Sequence, residues 1–265
     1  MDSWRAYRDF RFLWIANFFA NTAQWLQLLS IGWLVRDLTD SFASSGLLVV
    51  TVGGMTTLPT LVVGPWAGVL GDRVDRRKLV MAVQAFMTVA AVIFAFVVHS
   101  GHVEWWHAYI YVFISGICWS ISLTVRQTLV ANTVPTEALV NAYASNTLTI
   151  TGTRMVGPFV GGILITTIGF TWNFAIEAGL YSATVLAFFP MKTPYLQTRP
   201  EDSGGSPLAN FMEGLRYVRK QERVIWNLLV VGLIPNVLLH PVWFVLPVFT
   251  VEVLHRSADT GGILL

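Results

Sequence analysis

Charged side chains are scarce in this 265-residue chain. Asp, Glu, Lys and Arg make up 12% of the residues, against about 25% in ordinary soluble domains. Hydrophobic residues make up 54%, and the mean hydropathy is +0.60. This composition argues against a soluble enzyme and against a disordered segment. The net charge of +2 is too small to indicate a nucleic-acid partner, so the expected partner of the surface is the lipid bilayer.

Cysteine and reactive constellations are also nearly absent. The single cysteine, Cys118, cannot form an internal disulfide. The sequence has no Gly-rich phosphate loop, no nucleophile beside a base and no paired carboxylates, so no enzymatic activity is predicted. His99, His102, Glu104 and His107 crowd one predicted loop, but their spacing matches no tight metal motif. We therefore predict neither a metal site nor a cofactor.

Long apolar runs are what the sequence does contain. A helix that crosses a bilayer needs about 20 apolar residues, and a lipid environment forces such a run to be helical because it offers no partner to open backbone groups. The predicted fold is therefore an all-α polytopic membrane protein with seven spans. The apolar windows are Phe12–Val35, Ser45–Leu70, Leu79–Val98, Ala108–Val130, Ala142–Ile168, Trp172–Pro190 and Val224–Val251.

The basic residues in the loops predict the orientation, because cytoplasmic loops are enriched in Lys and Arg. The outer side would hold only Arg36 and Arg256. The inner side would hold Arg5, Arg8, Arg11, Arg73, Arg76, Arg77, Lys78, Lys192, Arg199, Arg216, Arg219, Lys220 and Arg223. We therefore predict a multi-pass protein of the plasma (inner) membrane with a cytoplasmic N-terminus.

The windows divide the chain into three parts. Residues 1–190 would form a six-helix transmembrane bundle, and residues 191–223 a cytoplasmic linker that contains a surface amphipathic helix. Residues 224–265 would hold the first helix of a second bundle. The apolar residues at 261–265 resemble the start of an eighth span, so we expect the chain to be a fragment of a longer protein.

Four different motifs occur one after another along the predicted helices. The first runs from Gly68 through Asp72, Arg73 and Asp75 to Arg76, Arg77 and Lys78, between spans two and three. The others are Arg126-Gln127 with Val134-Pro135 and Asn141-Ala142, then Arg154-x-x-Gly157-Pro158-x-x-Gly161-Gly162, then Leu246-Pro247-Val248-Phe249 followed by Gly261. Together they resemble the major facilitator superfamily, in particular the branch of the enterobactin exporter and macrolide efflux proteins, also called transmembrane secretion effectors. Asp75 departs from the superfamily pattern, which has glycine there.

The resemblance implies a twelve-helix transporter, of which this chain would hold the N-terminal six-helix bundle and the seventh helix. It also implies that the loop between spans two and three is a latch that holds the inner gate. The latch residues would be Gly68, Asp72, Arg73, Asp75, Arg76, Arg77 and Arg126. From the residues alone, Asp72 or Glu137 could pair with Arg126, and the other bases could simply set topology.

Two charges lie deep within predicted spans. Arg154 is about 18 Å from the inner face and Glu177 about 9 Å from the outer face, at 1.5 Å per residue. In a core about 30 Å thick, their depths differ by only about 3 Å. Since a tight turn at Gly169 would join their helices, we expect the two side chains to pair or to share a water-filled cavity. They are either coupling residues, with Glu177 as the proton carrier, or a static ion pair.

Small and polar residues complete the prediction. Gly157, Pro158, Gly161 and Gly162 would let helices approach closely, and they resemble a motif of drug–proton antiporters. Asn17, Asn21, Gln24 and Gln27 share one face of span one, and Ser115, Trp119, Ser122 and Arg126 share one face of span four. These faces would line a cavity bordered by Asn17, Asn21, Gln24 and Trp119. Within it Asn21, Gln24 and Trp119 would contact substrate, unless the two faces only bond helices together.

The predicted function is secondary active transport by alternating access. The favoured form is export of a drug-like or siderophore-like small molecule, powered by the proton gradient, by a protein that is monomeric at full length. Uptake or facilitated diffusion of a metabolite remains the alternative within transport. A seven-helix receptor or a membrane scaffold would fit the span count, but the receptor would need the opposite orientation and neither explains the four ordered motifs.

Overall fold

A computed structural model describes residues 2–39, 42–195, 212–213, 216–220, 223–228, 230–232, 249–250 and 255. Within these residues the chain is helical and contains no strand. The elements are α1 (Asp2–Ala6), α2 (Arg8–Asp37), α3 (Phe42–Arg73), α4 (Arg76–His99), α5 (Trp105–Thr133), a 3₁₀ turn (Thr136–Ala138) and α6 (Leu139–Phe188). The all-α class predicted from the apolar windows is thus confirmed for the described part.

Six of the seven predicted windows fall on these helices. Windows one to four lie within α2 to α5, and windows five and six occupy the two arms of α6. In the described part of the chain, three helical stretches are long and apolar enough to cross a membrane, namely Arg76–His99, Trp105–Thr133 and Thr136–Phe188. Most of window seven and the predicted linker at 201–207 lie outside the described residues, so the count of seven spans and the division into domains stay predictions.

Helix α6 folds back on itself at Gly169. This residue has φ 79° and ψ 176°, a conformation that a side chain with a Cβ rarely adopts. The amide of Asn173 reaches back to the carbonyl oxygen of Gly161 at 3.3 Å across the turn. The first arm (139–168) and the second arm (170–188) are therefore antiparallel, which confirms the tight turn predicted at this glycine.

Helix α2 is the centre of the bundle. It packs along both arms of α6, for example through the Trp14 indole, which donates to the carbonyl of Ser145 at 3.0 Å. Helix α5 packs closely against α3, because Gly116 brings the two backbones together beside Thr56. We call the end of the bundle that carries Arg8, Arg76 and Phe188 the inner end.

Two apolar clusters stabilise the bundle at different depths. The cluster toward the inner end contains Phe10, Leu13, Val80, Leu129 and Phe188. The other contains Ile31, Val52, Phe94, Tyr111 and Phe174, with the Phe94 and Tyr111 rings stacked at 4.3 Å. Between them, α2, α4 and α5 each contribute buried polar side chains, and this layer of polar groups is where the candidate site lies.

Apolar side chains also cover the outside of the bundle. On α3, Val62 is 68% exposed, and on α4, Phe96 is 70% exposed. An exposed apolar surface of this kind is costly in water and suits hydrocarbon. The exposed faces agree with the membrane location expected from the composition.

Candidate functional site

The polar face of α2 points into the bundle. Asn17, Asn21, Gln24 and Gln27 recur at steps of four, three and three, and each is at most 7% exposed. Such side chains are expensive in an apolar interior unless they are hydrogen-bonded. The structure gives each of Asn17, Asn21 and Gln27 partners on neighbouring helices, so the face joins α2 to α5 and α6.

Arg126 of α5 lies at the middle of this polar layer and is only 2% exposed. Its Nη1 donates to Oδ1 of Asn17 and to Oδ1 of Asn21, each at 3.2 Å. Its Nη2 donates to the same Oδ1 of Asn21 at 3.2 Å. The guanidinium also lies over the ring of Trp119, 5.3 Å from its centroid. Arg126 is thus a buried charge held by neutral groups.

The first arm of α6 orients the two asparagines. The Nδ2 of Asn17 donates to Oδ1 of Asn146 at 2.6 Å, and the Nδ2 of Asn21 donates to the hydroxyl of Thr149 at 3.3 Å. Because both amide nitrogens are engaged by α6, both amide oxygens point toward Arg126. A small cavity of about 10 Å³ adjoins this network, lined by Asn17, Asn21, Leu123, Arg126, Gln127, Asn146 and Ile150.

The position of Arg126 corrects one expectation. Pairing with Glu137 is wrong, because Glu137 is exposed in the 3₁₀ turn while Arg126 bonds to Asn17 and Asn21 in the interior. The alternative partner, Asp72, has its backbone in α3, but its side chain lies outside the described residues. Sequence spacing placed Arg126 one turn from the inner end, and the polar face of α2 draws it into the bundle instead.

Glu177, on the second arm of α6, is a second buried charged residue. It is completely buried, and its Oε1 accepts a hydrogen bond from the Tyr111 hydroxyl at 2.5 Å. Within the described part of the chain its Oε2 has no hydrogen-bond partner. The hydroxyl of Tyr181, one turn further along the helix, donates to Oε1 of Gln27 at 3.3 Å, and Gln27 in turn donates to the Ser115 hydroxyl at 2.6 Å.

A second cavity adjoins the Gln27 end of this network. Its volume is about 10 Å³, and its lining comes from α2, α3 and α5. The lining residues are Gln24, Gln27, Leu28, Ile31, Val52, Thr56, Val112 and Ser115. The polar face of α2 thus adjoins two cavities, one at Arg126 and one closer to the outer end.

The expected contact between Arg154 and Glu177 is not formed. Arg154 is exposed and its guanidinium lies over the Trp25 ring, 5.6 Å from the centroid, whereas Glu177 faces Tyr111 of α5. Among the described residues the one ion pair with both partners described is Arg36–Asp37, at 3.4 Å. The prediction compared depths only, and the rotation of the two arms about their axes points these side chains in different directions.

The small residues of α6 lie against α2. A Cβ added to Gly157 would be 2.6 Å from the Cβ of Trp25, and one added to Gly161 would be 3.1 Å from a methyl group of Leu29. Pro158 and Gly162 are buried in the same arm. These residues therefore set the close approach of α6 to α2, and with it the position of Asn146 and Thr149 against the asparagines.

The loop between α3 and α4 links the inner ends of several helices. Asp75 caps α4, since its carboxylate accepts from the backbone N–H of Lys78 at 3.1 Å. Arg76 donates to the Gly71 carbonyl at 3.1 Å and to Oδ1 of Asn132 at 2.9 Å. Arg76 therefore connects the end of α3 to the end of α5, while Gly68 lies one turn earlier in α3.

Arg77 extends these links to α6. Its Nε donates to the Phe188 carbonyl at 3.0 Å, and its Nη2 donates to the carbonyl of Phe189. Arg73, at the end of α3, is exposed. Of the seven residues assigned to the latch, Arg76 and Arg77 make the contacts between helices, Asp75 caps a helix, and Arg126 lies elsewhere.

Several site residues were missed from the sequence. Asn146, Thr149 and Thr153 recur at helical spacing on α6 and are all buried, a signal as clear as the α2 face. The partner of Glu177, Tyr111, carried no such signal, because an aromatic residue in a span is ordinary. In the predicted histidine-rich loop, Glu104 and His107 form a capping box at the start of α5. No group of three or more potential metal ligands occurs among the described residues.

Comparison with known proteins adds evidence of a different kind. Residues 4–265 match the family described as transmembrane secretion effector. The uncharacterized MFS-type transporter YfiS of Bacillus subtilis (strain 168) is 22% identical over 213 residues, which cover 79% of this chain and 49% of that protein. The enterobactin exporter EntS of Escherichia coli O1:K1 / APEC is 23% identical over 209 residues, with the same two coverages. The chain spans about half the length of these curated relatives.

A solved structure has the same fold. It is the crystal structure of a bacterial homolog of the human lysosomal transporter Spinster, in an inward-facing and unoccupied conformation. The match has a TM-score of 0.68 at 14% identity and covers 97% of this chain and 58% of that chain. At this identity the likeness concerns the fold alone.

Proposed function

Because the chain belongs to the transmembrane secretion effector family, within the major facilitator superfamily, we propose that the protein is a secondary active transporter that works by alternating access. Its substrate would be a drug-like or siderophore-like small molecule, and the direction would be export. Transport would be coupled to the proton gradient, without a bound cofactor. Because the matching family and the curated relatives are transporters, we assign the protein no enzymatic activity.

The observation that carries this proposal is the polar layer inside an apolar bundle. Buried charges within membrane helices are costly, and they mark pathways for substrates, ions or protons. Here Arg126 and Glu177 are both buried among uncharged partners, and Arg126 lines a small cavity along α2. A purely structural layer would be expected to neutralise its charges against each other.

Glu177 is our proposed proton carrier. It is a buried carboxylic acid with one oxygen hydrogen-bonded to Tyr111 and the other without a partner in the described part of the chain. A protonated carboxyl group can donate a hydrogen bond, while a carboxylate can only accept. Gain or loss of a proton would therefore change what Glu177 bonds to, and Tyr111 and Tyr181 would have to rearrange. Arg154 is exposed and lies over Trp25, so any part that it plays in coupling would be separate from that of Glu177 and the two tyrosines.

The inner loop supports the gating part of the proposal. The hydrogen bonds of Arg76 and Arg77 connect the inner ends of α3, α5 and α6. Alternating access requires such contacts to break as helices move, because packed bundles change between discrete arrangements. Gly68, Asp72, Arg73 and Asp75 would complete this latch.

Export is favoured over uptake by two facts. One of the similar proteins is described as an enterobactin exporter, and the Gly157–Gly162 motif resembles that of drug–proton antiporters. The distribution of bases supports an inner-membrane location with a cytoplasmic N-terminus. We expect the intact protein to be a monomer in the lipid bilayer.

Transport by the intact protein in proteoliposomes tests these proposals. The substrates would be ethidium and a catecholate siderophore, with an imposed proton gradient and with a protonophore. We expect movement of at least one substrate against the direction of proton flow, and loss of that movement with the protonophore. Substrate equilibration that ignores the protonophore would favour facilitated diffusion, and movement with the proton flow would favour uptake.

A matched pair of variants tests the role of Glu177. Glu177→Gln keeps the shape and removes the titrating group, so gradient-driven transport should be lost while exchange without a gradient persists. Glu137→Gln makes the same change at an exposed position in the 3₁₀ turn and should leave transport unchanged. Full proton-driven transport by Glu177→Gln would remove Glu177 from the mechanism.

A further inference from the structure

We propose that Arg126 is the binding site for an oxyanion of the transported molecule, and that the group recognised is a carboxylate or its close equivalent. The inference rests on the proposed function, because it names the substrate class of the same interior. The inference goes beyond the proposed function because it assigns a ligand chemistry to one edge of the Arg126 guanidinium. The evidence is the number and direction of hydrogen-bond donors that the guanidinium still has.

A guanidinium carries five N–H donors in a rigid plane: one on Nε and two on each Nη. Asn17 and Asn21 take the donors at the far end of the group, since both accept from Nη1 and Asn21 also accepts from Nη2. Nε has no hydrogen-bond partner in the described part of the chain. Nη2 has two N–H donors, and among the described residues Asn21 accepts from one of them.

The two remaining donors lie on the same edge. The N–H of Nε and the second N–H of Nη2 point in parallel from one side of the plane, which is the fork that a carboxylate accepts bidentately. Trp119 contacts the face of the guanidinium, so it leaves this edge free. The side chain is fully buried with a two-pronged donor edge unused, an arrangement that costs free energy unless an acceptor arrives.

The neighbouring helices keep the edge in place. The oxygens of Asn17 and Asn21 are aimed at Arg126 because their nitrogens are bound to Asn146 and Thr149 of α6. The neutral amides accept hydrogen bonds from some of the N–H donors of the guanidinium without cancelling its charge. An internal carboxylate in place of either amide would have neutralised the group, so amides at both positions preserve an attraction for an external anion.

The interior beside Arg126 leaves little open space in this conformation. The cavity there has a volume of about 10 Å³, which is room for about one water molecule. Its lining includes the polar side chains of Gln127 and Asn146, which suit a charged group rather than an apolar one. An anionic group would therefore reach Arg126 when the helices separate during alternating access, with the rest of the substrate lying elsewhere in the interior.

Binding by the purified, intact protein in phosphatidylcholine nanodiscs tests the site without requiring transport. The probes are benzoate and benzamide, which share a ring and differ in charge, and the readout is the dissociation constant from thermal stabilisation. Benzoate should stabilise the protein and benzamide should not. Equal stabilisation by the two probes would overturn the proposal, and this comparison needs no variant.

Three substitutions locate the effect. Arg126→Gln should weaken benzoate binding by at least about tenfold, the loss expected for a charge-assisted pair. Arg126→Lys should also weaken it, by less, because it keeps the charge and loses the fork. Asn21→Asp is isosteric and should also weaken benzoate binding, because it places a carboxylate against the guanidinium. Arg5→Gln, an exposed arginine of α1, is the control and should bind benzoate normally.

The remaining outcomes also decide the question. Unchanged benzoate affinity in folded Arg126→Gln would overturn the site. Stabilisation by phosphatidylglycerol nanodiscs with no response to benzoate would identify a lipid headgroup as the ligand and would also overturn it. The binding measurement and the transport measurement are independent. If the wild-type protein binds benzoate at Arg126 but shows no proton-driven export, the proposed function fails and the anion site stands. If it exports substrate but does not bind benzoate at Arg126, the anion site fails and the proposed function stands.

Discussion

Replacement of Gly157 by alanine tests the packing that positions the site. The new Cβ would lie 2.6 Å from the Cβ of Trp25, about 1 Å closer than carbon atoms in good contact. The obstructing atom is bonded directly to the α2 backbone, so a change of side-chain rotamer cannot move it. Helices α2 and α6 would have to separate, and overpacking of this kind costs about 1–3 kcal/mol.

Gly152→Ala is the matched control on the same arm. A Cβ at Gly152 meets nothing within 4 Å, so the substitution brings only the gain of up to about 1 kcal/mol in helix propensity. Since both variants make the same Gly→Ala change in one helix, the propensity cancels in their difference. We therefore expect Gly157→Ala to be less stable than Gly152→Ala by about 1–3 kcal/mol.

The assay is reversible unfolding of the intact protein in mixed micelles, with denaturing detergent as the variable and circular dichroism as the readout. Transport should follow stability, because the same displacement moves Asn146 and Thr149 away from the α2 asparagines. Equal stability of the two alanine variants would refute the claim that Gly157 sets the distance between the helices.

Two further changes test the turn and the latch by the same unfolding assay. Gly169→Ala should lower the free energy of unfolding by about 1–2 kcal/mol, because φ is 79° at this residue and a Cβ is disfavoured there. Gly179→Ala is the control and should cost nothing, because there is open space around the added Cβ. Equal effects of the two substitutions would contradict the strained turn. Asp75→Ala should cost about 1 kcal/mol by removing the acceptor for the Lys78 N–H, and Asp75→Asn, which keeps an acceptor, should cost less. An equal loss in Asp75→Ala and Asp75→Asn would show that the cap is not the cause.

Much of the fold could be predicted from the sequence, because the strongest signals are long and local. Apolar runs of bilayer length predicted the helices, and Gly169 between two such runs predicted the turn within α6. The face formed by Asn17, Asn21, Gln24 and Gln27 was predicted to lie inside because polar side chains at helical spacing avoid lipid. All four are buried.

The partners of the charged residues could not be predicted in the same way. Sequence position gives the depth of a residue in a helix at 1.5 Å per residue, but the rotation of the helix about its axis depends on which neighbours pack against it. Arg154 and Glu177 therefore have similar depths and different directions. For the same reason, Arg126 bonds to two asparagines of α2, more than 100 positions away in the sequence.

The amide environment of Arg126 changes the interpretation of the interior. An arginine expected to pair with an acid at the gate is instead a buried cation with an unused donor edge. Arg126 and Glu177 therefore have separate surroundings, with Tyr181 and Gln27 between the glutamate network and the cavity along α2. This separation is compatible with the two roles that we propose, anion binding at Arg126 and proton transfer at Glu177.

Proton movement during transport tests the central claim most directly. Intact protein is reconstituted into vesicles that contain a pH-sensitive dye, and ethidium or a catecholate siderophore is supplied on one side without an imposed gradient. Coupled export predicts that a substrate gradient drives protons in the opposite direction in the wild type, and that Glu177→Gln moves no protons. Substrate movement with no change in internal pH in the wild type would contradict proton-coupled transport.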